Sequence, residues 1–557
     1  LGTVCDRIEA RGEDGVWISR IERQVLCSLA EASTGRGALA GVPFAIKDNI
    51  DLLGLATTAA CPDFAYAPTR SAFVVRRLLE AGAVPVGKTN LDQFATGLVG
   101  VRSPYGVARN PFDANYLPGG SSSGSAVAVA AGLCSFALGT DTAGSGRVPA
   151  AFNNLVGLKP TRGLLSCSGV VPACRSLDCV SIFTRTVADA AEVFSVAAGF
   201  DPEDPYARHA RPPVGFASAK PRIGVPRADQ LEFFGDQAAA GLYATAVARW
   251  ESLGAVLVEV DIFSLLETAR LLYEGPWVAE RYAAIREFIA QRPESLHPVT
   301  RQVIGAASSL GAVGAFEAFH RLEAHRRQVD TLFASIDFLL LPTTPTVYRV
   351  EEVLADPIRL NSRLGHYTNF MNLLDLCGLA LPAGFLPKGL PWGVTLVAPA
   401  FHDDRLLRYG ACFLGEPVPA TVLAAPGPSV EVAVCGAHLS GLPLNWQLRD
   451  LGARLLRGTR TLPQYRLYAL PGTVPPKPGL VRTEAGGASI EVEVWELPLA
   501  AYGQFVSMIP APLGIGRLQL EDGTQPQGFL CEQVAVLNAM DISHLGGWRA
   551  YMASRSV

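Results

Sequence analysis

Apolar positions along this chain fall into two periods. Short apolar runs at residues 41–49 (GVPFAIKDN), 83–87, 134–138, 155–165, 222–226, 255–261, 338–342 and 392–398 have the length and side chains of buried strands. Between them, residues 71–82, 187–198, 237–253 and 403–414 repeat apolar side chains every three to four positions, which predicts helices with one buried face. Residues 1–29 are amphipathic and predict helix, and residues 265–325 are mostly helical. Strand and helix taking turns predict an α/β fold, a large parallel or mixed sheet with helices on both faces.

The pattern is densest in small residues between Pro118 and Pro149. A GGSSSGS turn leads into SAVAVAAG, whose side chains suit a closely buried helix, followed by the apolar strand at 134–138 and a glycine-rich loop at 139–146 that ends near Ser145. A Gly/Ser-rich linker is the ordinary reading of GGSSSG. Linkers, however, do not run straight into a buried helix, a strand and a second glycine loop, so the stretch predicts a site built around serine.

After residue 414 the pattern changes. Residues 415–429 hold repeated Pro, Ala and Gly with almost no charge and predict a linker between a first domain (1–414) and a second (430–557). The second has predicted strands at 430–435, 461–469, 489–497 and 529–534 with short helices, an α+β module large enough to fold alone.

Charge and cysteine content remove several classes of function. Among 557 residues, 47 Lys and Arg against 51 Asp and Glu leave a net charge of −4, without the basic footprint of a nucleic-acid binder. No uncharged apolar run has the length of a membrane span. Eleven cysteines form no CxxC pair, which suits reduced core thiols in a cytoplasmic protein, and no metal or nucleotide motif is present, so no cofactor is expected. The sequence starts at Leu1 rather than Met, which implies a native N-terminus beyond it.

Lys47 stands out near the end of an apolar strand. Its ordinary reading is a strand lysine paired with Asp48 or Asp51; in a dry site its pKa falls and it becomes a base at neutral pH. Amide hydrolysis by serine needs a base, oxyanion donors and a proton for the leaving nitrogen. None of the eight histidines lies in the glycine–serine region and no GxSxG elbow occurs, whereas a lysine relayed through a second serine fits the residues present.

Residues 41–49, 118–125 with the small-residue helix behind them, and 139–149 resemble the amidase signature family, and the resemblance extends over most of residues 15–414. It implies a Ser-cisSer-Lys triad on a mixed α/β sheet: Ser145 as nucleophile, Ser121 as bridging serine and Lys47 as base. The twenty-four positions between Ser121 and Ser145 match the family and choose Ser121 over Ser122 and Ser123. Backbone N–H groups of Thr142, Ala143, Gly144 and Ser145 are expected to form the oxyanion hole, although the family's usual Gly-Gly-Ser is Ala-Gly-Ser here.

Two further stretches, GPWVAERY at 275–282 and GAHLSGLPLN at 436–445, resemble the allophanate hydrolase family. That resemblance implies deamination of allophanate, a small anion of urea degradation made by a biotin-dependent urea carboxylase, by a cytoplasmic homodimer. It implies substrate-binding roles for Tyr273 and Arg281, which residue type alone reads as core packing and helix-surface charge. The second domain resembles a γ-glutamylcyclotransferase-like module that processes the N-carboxycarbamate product, with His438 its catalytic candidate and Glu496 a weaker one. The alternatives are an amidase for another small carboxylated amide, such as malonamate or a biuret-like molecule, and a non-catalytic amidotransferase-like subunit.

Overall fold

A computed structural model of the chain describes residues 1–211, 220–419, 429–451 and 453–555. It forms two compact units, Leu1–Ala424 and Ala425–Val557. Most of the expected linker, residues 420–428, lies outside the described residues.

The first unit is built on an eleven-stranded sheet: β1 (Trp17–Arg20), β2 (Pro43–Lys47), β3 (Val84–Thr89), β4 (Phe136–Asp141), β5 (Val156–Lys159), β6 (Cys179–Thr184), β7 (Arg222–Pro226), β8 (Val256–Val260), β9 (Phe338–Pro342), β10 (Leu376–Phe385) and β11 (Pro391–Pro399). Their order across the sheet is β1-β3-β2-β4-β6-β5-β10-β11-β9-β7-β8. β2 lies parallel to β3 and β4, and β7 parallel to β8 and β9, while antiparallel pairs fill the middle and one edge. The sheet is therefore mixed.

Alternate side chains divide the sheet between two cores. Phe44, Ile46, Phe136 and Leu138 join the helices Phe73–Glu80, Val187–Ala197, Gln237–Ser252 and Asp403–Leu414 in one cluster. Ala45 and Ala137 pack in another against the helix Ser123–Ala130. That helix must be made of small residues because it lies close to its neighbours: a Cβ on Gly124 would come within 2.4 Å of the Val16 carbonyl oxygen.

Several expected elements are redrawn. The helix expected over residues 1–29 is two helices, Gly2–Arg11 and Arg23–Ser33, separated by β1. The chain turns at Gly15, whose φ of +73° favours glycine, and Trp17–Arg20 gains a ladder with β3 that a continued helix would forgo. Residues 139–141, expected in a loop, continue β4, because Gly139 there permits close packing on Phe183 and Ser122. β6 shows no alternation, being buried on both faces, and β10 carries Gly378, Pro382 and Gly384, which read as breakers.

In the second unit, a five-stranded sheet has the order β13-β16-β12-β18-β17 and a three-stranded one β15-β14-β19. The strands are β12 (Ser429–Val434), β13 (Arg454–Arg460), β14 (Tyr465–Ala469), β15 (Pro478–Arg482), β16 (Glu491–Pro498), β17 (Leu513–Arg517), β18 (Gln527–Cys531) and β19 (Met540–Asp541). The single strand expected at 461–469 is thus a corner between two sheets, with Pro463 in the turn.

Candidate active site

The parallel strands β2 and β4 both end at one edge of the sheet, where open α/β sheets present their ligands. Lys47, the last residue of β2, is completely buried. Its Nζ lies 2.8 Å from Ser121 Oγ and 2.7 Å from Thr140 Oγ1, and Ser121 Oγ lies 3.0 Å from Ser145 Oγ. Lysine, first serine and second serine thus form one continuous hydrogen-bonded line, drawn from three separate segments. The ion pair open to Lys47 at the level of sequence is not made: the Asp48 carboxylate pairs with Lys88 at 2.9 Å and also accepts from Thr58.

Burial and hydroxyl partners set the state of that lysine. Desolvation disfavours the ammonium and lowers its pKa to about 7, helped by the positive charge of Arg281 and opposed by Asp92, Asp141 and Asp178. A neutral amine has two N–H bonds and a lone pair, so it can donate to Thr140 while its lone pair faces Ser121.

Ser121 is held by backbone. The Gly120–Ser121 peptide is cis, and the Ser121 carbonyl accepts the Asp92 amide at 3.0 Å. The Asp92 carboxylate in turn gathers the amides of Val99, Gly100 and Arg102 at 2.9–3.1 Å. A Cβ at position 120 would sit 2.1 Å from Asp92 Oδ2, so glycine is required where the loop passes the serine.

The Ser145 loop hangs from a buried ion pair. Asp141 and Arg147, both fully buried, meet through two hydrogen bonds of 2.9 Å, and Asp141 also accepts the amides of Gly144 at 2.9 Å and Gly146 at 3.0 Å. This corrects one expected oxyanion donor, since the Gly144 amide is committed to Asp141. Thr142, Ala143 and Ser145 remain as candidates. Gly144 has φ +136°, and a Cβ there would lie 2.5 Å from Thr368 Oγ1, so the residue before Ser145 has no room to vary. Thr142 Oγ1 donates to Asp178 at 2.5 Å; burial pushes that carboxyl up to about 6 against the pull of its hydrogen bonds.

Arg281 is 2% exposed, not a surface residue of its helix Trp277–Ala284. Its Nη1 lies 3.4 Å from Ala95 O and Thr96 Oγ1, and its guanidinium sits 5.4 Å from the centre of the Tyr273 ring. Nε and Nη2 are buried with no hydrogen-bond partner among the described residues. Orphaned buried donors on a cation are costly, and a planar anion satisfies them. Arg281 lies near enough to Lys47, Asp178 and Cys174 for its positive charge to act on all three.

In the second unit His438 is half-buried: its ring stacks on Phe529 at 5.1 Å, meets the edge of Phe505 at 5.4 Å, and brings Nε2 to 2.8 Å from Gln447 Oε1. Burial lowers its pKa, which favours the neutral ring. Glu496, the weaker candidate, instead pairs with Arg454 at 2.9 Å and with Ser429, on the opposite face of β16 from the buried Glu493 three residues before it. It does not line the His438 cavity.

Thr140, Asp141, Arg147, Asp92 and Asp178 escaped the reading of the sequence. Charged side chains inside an otherwise small and apolar stretch, Asp141 and Arg147 above all, were the signal available: such charges stay buried only when paired.

Comparison with known proteins gives the family and the fold. The family model described as Amidase matches residues 2–407, and that of the allophanate hydrolase C-terminal domain matches residues 430–553. The urea amidolyase of Saccharomyces cerevisiae is 45% identical over 585 residues, covering 99% of this chain and 32% of the relative; that of Lachancea kluyveri is also 45% identical, with 31% covered. The chain thus spans under a third of the length of these curated relatives. The solved allophanate hydrolase of Kluyveromyces lactis superposes with a TM-score of 0.71 at 43% identity, covering 100% of this chain and 96% of that one.

Proposed function

The chain belongs to the amidase family and, within it, to the allophanate hydrolases, and on that premise we propose that its first unit deaminates allophanate by acyl transfer through Ser145, Ser121 and Lys47. The observation that carries the choice of substrate is the buried Arg281 with two unpartnered donors. An amidase for neutral amides has no use for it, whereas the carboxylate of a small anionic amide satisfies both donors at once. Tyr273 walls the same side.

Neutral Lys47 takes the Ser121 proton as Ser121 takes that of Ser145, and Ser145 Oγ attacks the amide carbonyl. The oxyanion forms beside the amides of Thr142, Ala143 and Ser145. The protons return through Ser121 to the departing nitrogen as ammonia leaves. Water then enters by the same relay and frees the second carboxylate, giving N-carboxycarbamate. Processing of that product falls to the second unit at His438. The longer urea amidolyase relatives support a link to a urea carboxylase activity. The biotin dependence of that carboxylase, the homodimer and the cytoplasmic location belong to the proposal.

Ammonia release from allophanate, malonamate and biuret tests this reading. Allophanate should give the highest kcat/KM, Ser145→Ala should give no turnover with the fold retained, and Arg281→Ala should act mainly on KM. An unchanged KM in Arg281→Ala would remove the basis for the substrate.

A further inference from the structure

The antiparallel ladder between β4 and β6 ends at the pair Asp141 and Cys179. One residue beyond it on either side stand Thr142 and Asp178, and a side-chain bond takes over where the backbone pairing stops: Thr142 Oγ1 donates to Asp178 Oδ1 at 2.5 Å. The same carboxylate accepts the amides of Ala173 at 2.9 Å and Cys174 at 3.1 Å. Asp141 has Arg147 as a buried counter-charge, whereas Asp178, 5% exposed, makes no ion pair among the described residues; its hydrogen-bond partners are neutral, and Arg281 acts on it through space. A buried carboxylate without a cation is costly, and its charge is held by the donors aimed at it.

Those donors belong to two different parts of the site. Thr142 carries one of the amides open to the oxyanion. Residues 173–176 are fastened to the helix Trp277–Ala284, which carries Arg281: Cys174 Sγ donates to the Trp277 carbonyl at 3.3 Å, and Glu280 accepts the amide and the hydroxyl of Ser176, both at 2.7 Å. Asp178 is where the two meet. A side chain pinned at Oγ1 restricts the backbone of Thr142, and so the direction of its N–H; a donor fixed in advance need not reorient as charge develops on the substrate oxygen.

We infer that Asp178 is a positioning residue of the reaction: through Thr142 it aims an oxyanion donor, and through residues 173–176 it keeps that donor in register with the helix that carries Arg281. The inference rests on the acyl-transfer reading of the first unit. Asp178 bonds to Thr142, Ala173 and Cys174, not to the serines or the lysine of the relay.

Steady-state ammonia release from allophanate tests it in the full chain. Thr142→Val keeps the backbone amide and removes the hydroxyl, so kcat should fall about tenfold with KM within about threefold, and Thr142→Ser, which restores the hydroxyl, should recover most of that loss. Asp178→Ala removes the acceptor and loosens the tie to the Arg281 helix; kcat should fall at least as far, and KM should rise. Adding Thr142→Val to it should lower kcat by less than about threefold more, since the bond is already gone. An unchanged kcat in Thr142→Val, no recovery in Thr142→Ser, or a double variant that loses the full product of the two single losses overturns the inference. Should Asp178→Ala fail to fold, the two Thr142 variants decide it alone. Failure of the acyl-transfer reading appears elsewhere, as turnover that survives Ser145→Ala, so the two failures are distinguishable.

Discussion

The state of Lys47 makes the sharpest prediction. Its amine is completely buried, its polar contacts are the hydroxyls of Ser121 and Thr140, and desolvation lowers its pKa from 10.5 to about 7. Only the neutral amine can take the relayed proton, so kcat/KM should follow its fraction: about one tenth at pH 6, half at pH 7 and nine tenths at pH 8, a roughly tenfold rise. An ordinary lysine would be under about 1% neutral at pH 8, and the acid limb would extend far into the alkaline range. Initial rates of ammonia release across pH 5.5–9.5 measure the limb directly. Lys47→Met should abolish it together with turnover. A flat profile, or an acid limb centred above about pH 9, would refute the account of burial as the source of the base. Stability supplies a second readout. Below about pH 7 the group is protonated in both folded and unfolded chains; between 7 and 10.5 the unfolded chain binds more protons, so the group's contribution makes the fold more stable as pH rises through that window. Lys47→Met should remove that contribution.

Three other perturbations follow from the same geometry. Replacing Arg281 with Leu removes a positive charge that depresses Lys47, so the acid limb should move to higher pH as KM rises; a shift to lower pH would contradict the electrostatics. Asp141→Asn leaves the Arg147 guanidinium buried without its counter-charge, and denaturant unfolding should show a loss of about 3–5 kcal/mol with activity abolished. Gly144→Ala places a methyl group 2.5 Å from Thr368 Oγ1 at φ +136°, so kcat should fall; adding Thr368→Ala relieves the contact but not the backbone strain and should restore activity only in part.

Much of this arrangement was readable along the chain because it is local. The strand ending in Lys47, the glycine turn before Ser121, the small-residue helix and the loop carrying Ser145 each follow from side-chain size, period and glycine placement within a few residues. The helices Val187–Ala197 and Asp403–Leu414 are equally local, since a one-sided apolar stripe needs no partner to be recognised. What pairing decides was hidden. β10, with its glycine and proline, becomes a strand because β5 and β11 supply ladders on both sides, and β1 exists because β3 leaves an edge to cover.

The same division holds for the chemistry. Residue type drew attention to Lys47 and Ser145 and the family resemblance added Ser121, but these left the lysine free to pair with Asp48, and only the fold turns Asp48 toward Lys88. Periodicity alone put Arg281 on a helix surface, while packing buries it with two donors unmet. The Gly144 amide goes to Asp141 for a similar reason: a carboxylate three residues back in sequence becomes an acceptor only when its loop closes around Arg147. Sequence supplies the groups and their local conformation. Desolvation and pairing, which set proton affinity and leave donors waiting for a ligand, depend on neighbours tens to hundreds of positions away and come into being only with the tertiary structure.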